Sequence, residues 1–148
     1  MELLDRLRPL ALLLLRLAVG IIFVTHGYPK LFTNTSGMMQ AFVHMRFPSY
    51  FVYIAGVLEF FGGLMLIAGL FTRIAAILLA GEMAVAIWRV HLPQGPITAV
   101  HNYEFPLALA VASFAMACFG AGAVSIDALI FRSGGGKPPR KPKSRERD

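Results

Sequence analysis

Residues 105–126 form the longest uncharged segment of this chain, with more than twenty consecutive residues that carry no formal charge. The hydrocarbon core of a bilayer is about 30 Å thick, and a helix needs about 20 apolar residues to cross it. The whole chain is also 57% hydrophobic and only 15% charged, whereas soluble domains are roughly 45–50% apolar and about 25% charged. The sequence therefore predicts an integral membrane protein rather than a soluble enzyme or a disordered chain.

Three other apolar segments are long enough to cross a bilayer. The sequence predicts an all-α fold, a four-helix transmembrane bundle, with spans at about residues 9–32, 50–71, 73–90 and 105–131. The second and third spans must form an antiparallel hairpin because they are joined only by Phe71-Thr72-Arg73. The first span is not expected to be a cleaved signal peptide, because Arg16 interrupts it and no small-residue cleavage site follows.

The distribution of positive charge predicts the orientation. Arg6 and Arg8 flank the first span, Arg73 lies in the hairpin link, and residues 132–148 contain seven Lys/Arg against two acidic residues. Segments with an excess of Lys/Arg remain in the cytoplasm, so both termini are predicted to be cytoplasmic. The Gly/Pro-rich tail at 132–148 is predicted to be disordered and to touch anionic lipid. The transmembrane part has no basic stripe, so nucleic-acid binding is not expected.

Ionisable residues inside the predicted spans need a partner or a purpose, because a charge at the bilayer centre costs roughly 2.5–3.5 kcal/mol. Arg16 and Asp127 occupy the inner level and are predicted to form a structural ion pair between spans one and four. A second group occupies the middle and outer levels: His26, Lys30, Glu59, Glu82, Arg89, Asn102 and Glu104.

We interpret this second group as lining a ligand-binding or proton-relay cavity that opens outward; a purely structural polar network is the alternative. Arg16, Phe23 and Lys30 recur every seven residues, and His26 precedes Lys30 by four, so all four share one helix face. Around Glu59, glycines on the same face would let another helix approach closely.

Metal and haem sites are not expected from the histidine pattern. Histidines and carboxylates at the outer level could bind a transition metal, but no two histidines lie four residues apart and no His-Glu-x-x-His string occurs. The single cysteine, Cys118, excludes an internal disulfide and a Cys-x-x-Cys redox pair. Near the end of the fourth span, Gly120 and Gly122 would permit a bend, and Ser125 could cap a short helix over residues 126–131 at the inner interface.

Several short motifs, taken in order, resemble the DoxX family of small four-helix membrane proteins over residues 12–131. The motifs are Arg16-Leu17-Ala18-Val19-Gly20, Phe23, His26-Gly27, Lys30, Glu59, Gly62-Gly63, Gly69, Glu82, Asn102-Tyr103-Glu104, Gly120-Ala121-Gly122 and Ser125-Ile126-Asp127. The family's usual Gly-Pro-Gly turn lacks its proline here. The resemblance implies a location in the bacterial inner membrane and an association with redox complexes, since the family is named for a component linked to thiosulfate:quinone oxidoreductase.

Three functional hypotheses follow. The first is a redox-associated subunit that binds a quinone-like molecule in the polar cavity and receives electrons from a protein partner. The second is a non-catalytic membrane anchor or assembly subunit of a larger complex. The third is a small-solute or lipid carrier, although four spans are few for alternating access.

Overall fold

A computed structural model describes the backbone of residues 2–132 and the side chains of residues 6–130. Within this part, the chain forms six α-helices: α1 Glu2–Tyr28, α2 Thr35–His44, α3 Phe51–Ala68, α4 Thr72–Ala86, α5 Glu104–Phe119 and α6 Ile126–Arg132. Two π-helical segments, Pro29–Thr33 and Ile87–His91, extend α1 and α4. Short 3-10 turns lie between α4 and α5. The predicted tail lies outside the described residues, apart from the backbone of Arg132.

Three helical segments are long and apolar enough to cross a membrane. They cover Arg6–Thr33, Phe51–Ala68 and Thr72–Gln94, with lengths of 28, 18 and 23 residues. The all-α prediction is therefore confirmed, together with candidate helices for the first three predicted spans. α5 is apolar but has only 16 residues, about 24 Å of helix. The fourth span and the orientation of the termini stay predictions.

The predicted segment 105–131 is divided in the structure. α5 ends at Phe119, and the chain then turns through Gly120 and Gly122, whose φ angles are 80° and 77°. These left-handed values favour glycine, so the turn forms without the proline of the family motif. The predicted cap of α6 is confirmed, because the Ser125 hydroxyl accepts a hydrogen bond from the Ala128 amide at 3.1 Å.

Four helices pack into one unit. α1 lies against α3 and α5, α3 lies against α4, and α4 lies against α5. Their shared core contains Val19, Phe23, Leu66, Leu79 and Met116, all buried. The outward faces carry large exposed apolar side chains, among them Ile21, Phe61, Ile77, Val111 and Phe114. Faces of this kind are expected where helices contact lipid.

The segment between the first two long helices contains a helix rather than a continuous loop. Residues 33–49 lie between the first two predicted spans, and α2 occupies Thr35–His44 of this segment. Met38, Ala41 and Phe42 are half-buried while Gln40 is exposed, a spacing that gives a short helix one inward face. α2 packs against α3 and the Pro29–Thr33 segment.

Candidate functional site

A buried ion pair between Lys30 and Glu59 lies at the centre of the predicted polar group. Lys30 comes from the π-helical end of α1, and Glu59 comes from the middle of α3. Their side chains are 13% and 6% exposed, so neither charge relies on bulk water. An ion pair withdrawn from water needs close mutual contact to offset its desolvation, and the Lys30 ammonium donates directly to the Glu59 carboxylate.

Glycines allow the two helices to approach closely enough for this contact. A Cβ atom at Gly27 would lie 2.5 Å from the Phe60 amide nitrogen and 3.0 Å from the Glu59 Cβ. On the facing helix, a Cβ atom at Gly56 would lie 3.1 Å from the Lys30 Cβ. Small residues let transmembrane helices pack backbone to backbone, and here they bring a lysine and a glutamate into register.

Glu82 adds a second carboxylate to the pair. It lies on α4 and interacts electrostatically with Glu59 and Lys30. Its Oε2 atom is buried and has no hydrogen-bond partner among the described residues. A buried oxygen without a partner is unfavourable, so this atom is suited to receive a hydrogen bond from a bound molecule or water.

His26 lies one helical turn before Lys30, and its ring is exposed. The Nδ1 atom lies 2.9 Å from the Ile22 carbonyl oxygen. Since a carbonyl can only accept, Nδ1 carries the proton and Nε2 remains available as an acceptor in the neutral ring. The ring packs on Phe105 with centroids 5.6 Å apart, and His26 also interacts electrostatically with Glu59. We call His26, Lys30, Glu59 and Glu82 the polar cluster.

The other three predicted cavity residues, Arg89, Asn102 and Glu104, are exposed. The Arg89 guanidinium is exposed and lies 5.7 Å from the ring centroids of both Phe47 and Trp88. Arg89 lies in the π-helical segment Ile87–His91, whose wider turn differs from the α-helical spacing on which the prediction rests. Asn102 and Glu104 are exposed in and after the 3-10 turn that precedes α5.

At the opposite end of the helices, Arg16 and Asp127 each bind backbone atoms. The fully buried Arg16 donates to the carbonyl oxygens of Leu66, at 3.1 Å, and Ala121. Asp127 accepts from the amides of Phe71, at 2.7 Å, and Thr72, at 3.0 Å. The two charges interact electrostatically, but the direct contacts of both side chains are with the turns between helices. A direct ion pair stays a prediction.

Ser113 on α5 is a buried polar residue that sequence reasoning missed. Its side chain is fully buried, and its hydroxyl has no hydrogen-bond partner among the described residues. A single hydroxyl in an otherwise apolar segment was the available signal. Among the residues that the structure describes, no three His, Cys, Asp or Glu side chains are grouped closely enough to hold a metal ion.

A family profile and three bacterial proteins match this chain. The family profile described as DoxX matches residues 11–92. The Bacillus subtilis protein named "Putative oxidoreductase CatD" is 35% identical over 81% of this chain and 87% of its own length. The Escherichia coli "Inner membrane protein YqjF" is 29% identical over 84% of this chain and 95% of its own. An "Uncharacterized protein" of Haemophilus influenzae is 33% identical over 87% of this chain and 97% of its own. No solved structure shows significant similarity.

Proposed function

This chain belongs to the DoxX family of membrane proteins, and we propose that it is a redox-associated subunit of the bacterial inner membrane that binds a quinone-like molecule at the polar cluster. In this proposal α5 and the turn after it form the fourth span, and both termini are cytoplasmic. The quinone head group lies between Glu82 and the Lys30–Glu59 pair. Its apolar tail extends into the lipid that surrounds the helices.

The observation that carries the proposal is the unpartnered oxygen of Glu82 beside a buried ion pair. A quinol hydroxyl can donate to that oxygen, and a quinone carbonyl can accept from the Lys30 ammonium. Reduction of a quinone needs protons as well as electrons, and carboxylates and histidine are the side chains that pass protons. Electrons would come from a protein partner. The name of the Bacillus subtilis relative, an oxidoreductase, supports a redox role.

Quinone titration tests this proposal directly. The protein is purified into nanodiscs, and a short-chain ubiquinol and its quinone are titrated while the fluorescence of Trp88, the single tryptophan, is recorded. Glu59→Gln and Glu82→Gln should each weaken binding about tenfold or more, because a hydrogen bond to a charged group is lost. Glu104→Gln is the matched control, since that glutamate is exposed outside the cluster. Wild-type affinity in both cluster variants would remove this site.

A non-catalytic assembly subunit is the second candidate function. It is favoured by the ion pair between Lys30 and Glu59. Two buried charges that neutralise each other need no ligand, and their role is then to hold α1 against α3. In that case the protein should co-purify with a stoichiometric membrane partner and fail to bind quinol. Glu82→Gln would then leave assembly of the complex intact, whereas Glu59→Gln would weaken it.

A further inference from the structure

A second polar region lies at the end of α4, outside the polar cluster. A groove of about 700 Å³ separates the end of α2 from the π-helical and 3-10 turns that follow α4. Its lining includes His44, Arg46, Trp88, Arg89, Pro93 and Gln94. The function proposed above uses none of these residues.

The charged side chains that line this groove in the described part of the chain are all positive. Two arginines and a histidine contribute to the lining, and no carboxylate is among the residues that line it in the described chain. Arg46 and Arg89 are exposed and come from segments more than forty positions apart in the sequence. Two guanidinium groups that share one groove repel each other, and a bound anion would convert that repulsion into attraction.

The backbone holds Arg46 in a conformation that arginine rarely adopts. Its φ angle is 61°, in the left-handed region that favours glycine. The Arg46 amide bonds the Val43 carbonyl, and the Phe47 amide bonds the Phe42 carbonyl; this is the Schellman pattern that ends many helices. Glycine is the usual residue at this position, so an arginine here keeps a side chain at the groove at the expense of backbone strain.

The second arginine is positioned by the same turn. The rings of Phe42 and Phe47 pack 6.0 Å apart across the Schellman turn, and the Arg89 guanidinium lies 5.7 Å from the Phe47 ring. The Trp88 ring centroid also lies 5.7 Å from the Arg89 guanidinium group. Phe47 therefore joins the two arginines: it follows Arg46 in the chain and supports Arg89 through its ring.

We propose that this groove binds an oxyanion of the phosphate class between the guanidinium groups of Arg46 and Arg89. A guanidinium group presents a planar set of N–H donors that matches phosphate oxygens in pairs. Gln94 can add a neutral donor. A free phosphate and the phosphate of a lipid head group share this chemistry. The exposed indole of Trp88 suits either source, since tryptophan is common where lipid meets water.

Trp88 lines the groove and is the only tryptophan, so its fluorescence reports on the site. The full chain is placed in dodecyl maltoside micelles, which contain no phosphate, and titrated with inorganic phosphate against sodium chloride of equal ionic strength. A second series adds a rising fraction of phosphatidylglycerol to the micelles. A saturable response to phosphate identifies a free oxyanion as the ligand, and a response to phosphatidylglycerol alone identifies a lipid head group.

Variants separate specific binding from general attraction of anions. Arg46→Gly and Arg89→Gln should each weaken the response about tenfold or more. Arg73→Gln, which removes an exposed charge about 24 Å away along the same helix, should leave it unchanged. Arg46→Gly relieves the backbone strain, so a loss of binding in a protein that melts no lower than wild type cannot result from misfolding.

Absence of a saturable response in both series would overturn the proposal, as would a response that Arg46→Gly and Arg89→Gln leave unaltered. The result does not depend on the polar cluster. Glu82→Gln should keep the wild-type response to phosphate even if it abolishes quinol binding, so either proposal can fail alone.

Discussion

Asp127 caps a helix to which it does not belong. Its carboxylate accepts hydrogen bonds from the amides of Phe71, at 2.7 Å, and Thr72, at 3.0 Å, at the N-terminus of α4. Its own amide donates to the Gly69 carbonyl at 2.8 Å. The first amides of a helix have no partner within the helix, and a carboxylate there also favours the helix dipole. One residue of α6 thus fixes the turn that joins α3 to α4.

Replacement of Asp127 should destabilise that turn. Asp127→Ala removes both acceptors, and loss of a side-chain cap costs about 1–2 kcal/mol. Asp127→Asn keeps one oxygen and should cost less. Unfolding in dodecyl sulfate, followed by circular dichroism, measures the change. Glu104→Gln is the matched control at the start of α5, where the acid is exposed. Equal stability of Asp127→Ala and this control would contradict the assignment.

The close contact of α1 with α3 predicts that alanine lowers the free energy of unfolding at Gly27 but not at Gly81. Gly27→Ala would place a Cβ atom 2.5 Å from the Phe60 amide nitrogen, so the helices must separate. Overpacking of this kind costs about 1–3 kcal/mol, measured as a lower free energy of unfolding. Gly81→Ala is the control on α4, because nothing lies within 4 Å of its Cβ position. It should gain about 0.5–1 kcal/mol from helix propensity; equal effects at the two sites would refute the packing.

The Lys30–Glu59 contact predicts non-additive mutations. Lys30→Met or Glu59→Gln leaves the other group without its partner, and breaking a buried pair costs about 3–5 kcal/mol. The double variant removes both charges and should be more stable than the sum of the single changes predicts, by about 0.5–3 kcal/mol. Unfolding free energies of all four proteins in the same detergent complete the cycle. Additive losses would show that the two charges do not interact.

Backbone strain at Arg46 predicts a gain in stability on substitution. Arg46→Gly should stabilise the end of α2 by about 1 kcal/mol, because glycine adopts left-handed angles without a steric penalty. Arg46→Ala removes the same charge but keeps a Cβ atom, so it should show no such gain. Thermal melting of the two variants separates strain from charge. A lower melting temperature for Arg46→Gly than for Arg46→Ala would be inconsistent with a left-handed residue here.

The sequence predicts features that follow from regular helical spacing. Arg16 and Phe23 are buried and Lys30 is paired, as expected for residues seven apart on one face. Spacing is a weaker guide where the backbone is not a regular α-helix: Arg89 lies in the π-helical segment Ile87–His91, so its face relative to Glu82 does not follow from α-helical periodicity. Hydropathy likewise gives little warning of a helix as short as α2.

Side-chain contacts with backbone are the other feature that spacing could not reveal. Charge and depth alone match Arg16 with Asp127, since a cation and an anion at one level are natural partners. The atoms they bind are carbonyls and amides freed where helices end. Those groups become available only once the turns have formed, so residue types alone cannot indicate them.

Arg16 and Lys30 lie on the same continuous helical segment, Arg6–Thr33, which couples their positions mechanically. They stand fourteen residues apart on the first helical segment, about 21 Å along its axis. Arg16 donates hydrogen bonds to the carboxyl end of α3 and to the bend after α5, and Lys30 pairs with Glu59 in the middle of α3. Because both side chains project from one continuous helical segment, a shift of that segment at Lys30 also displaces Arg16 and its contacts.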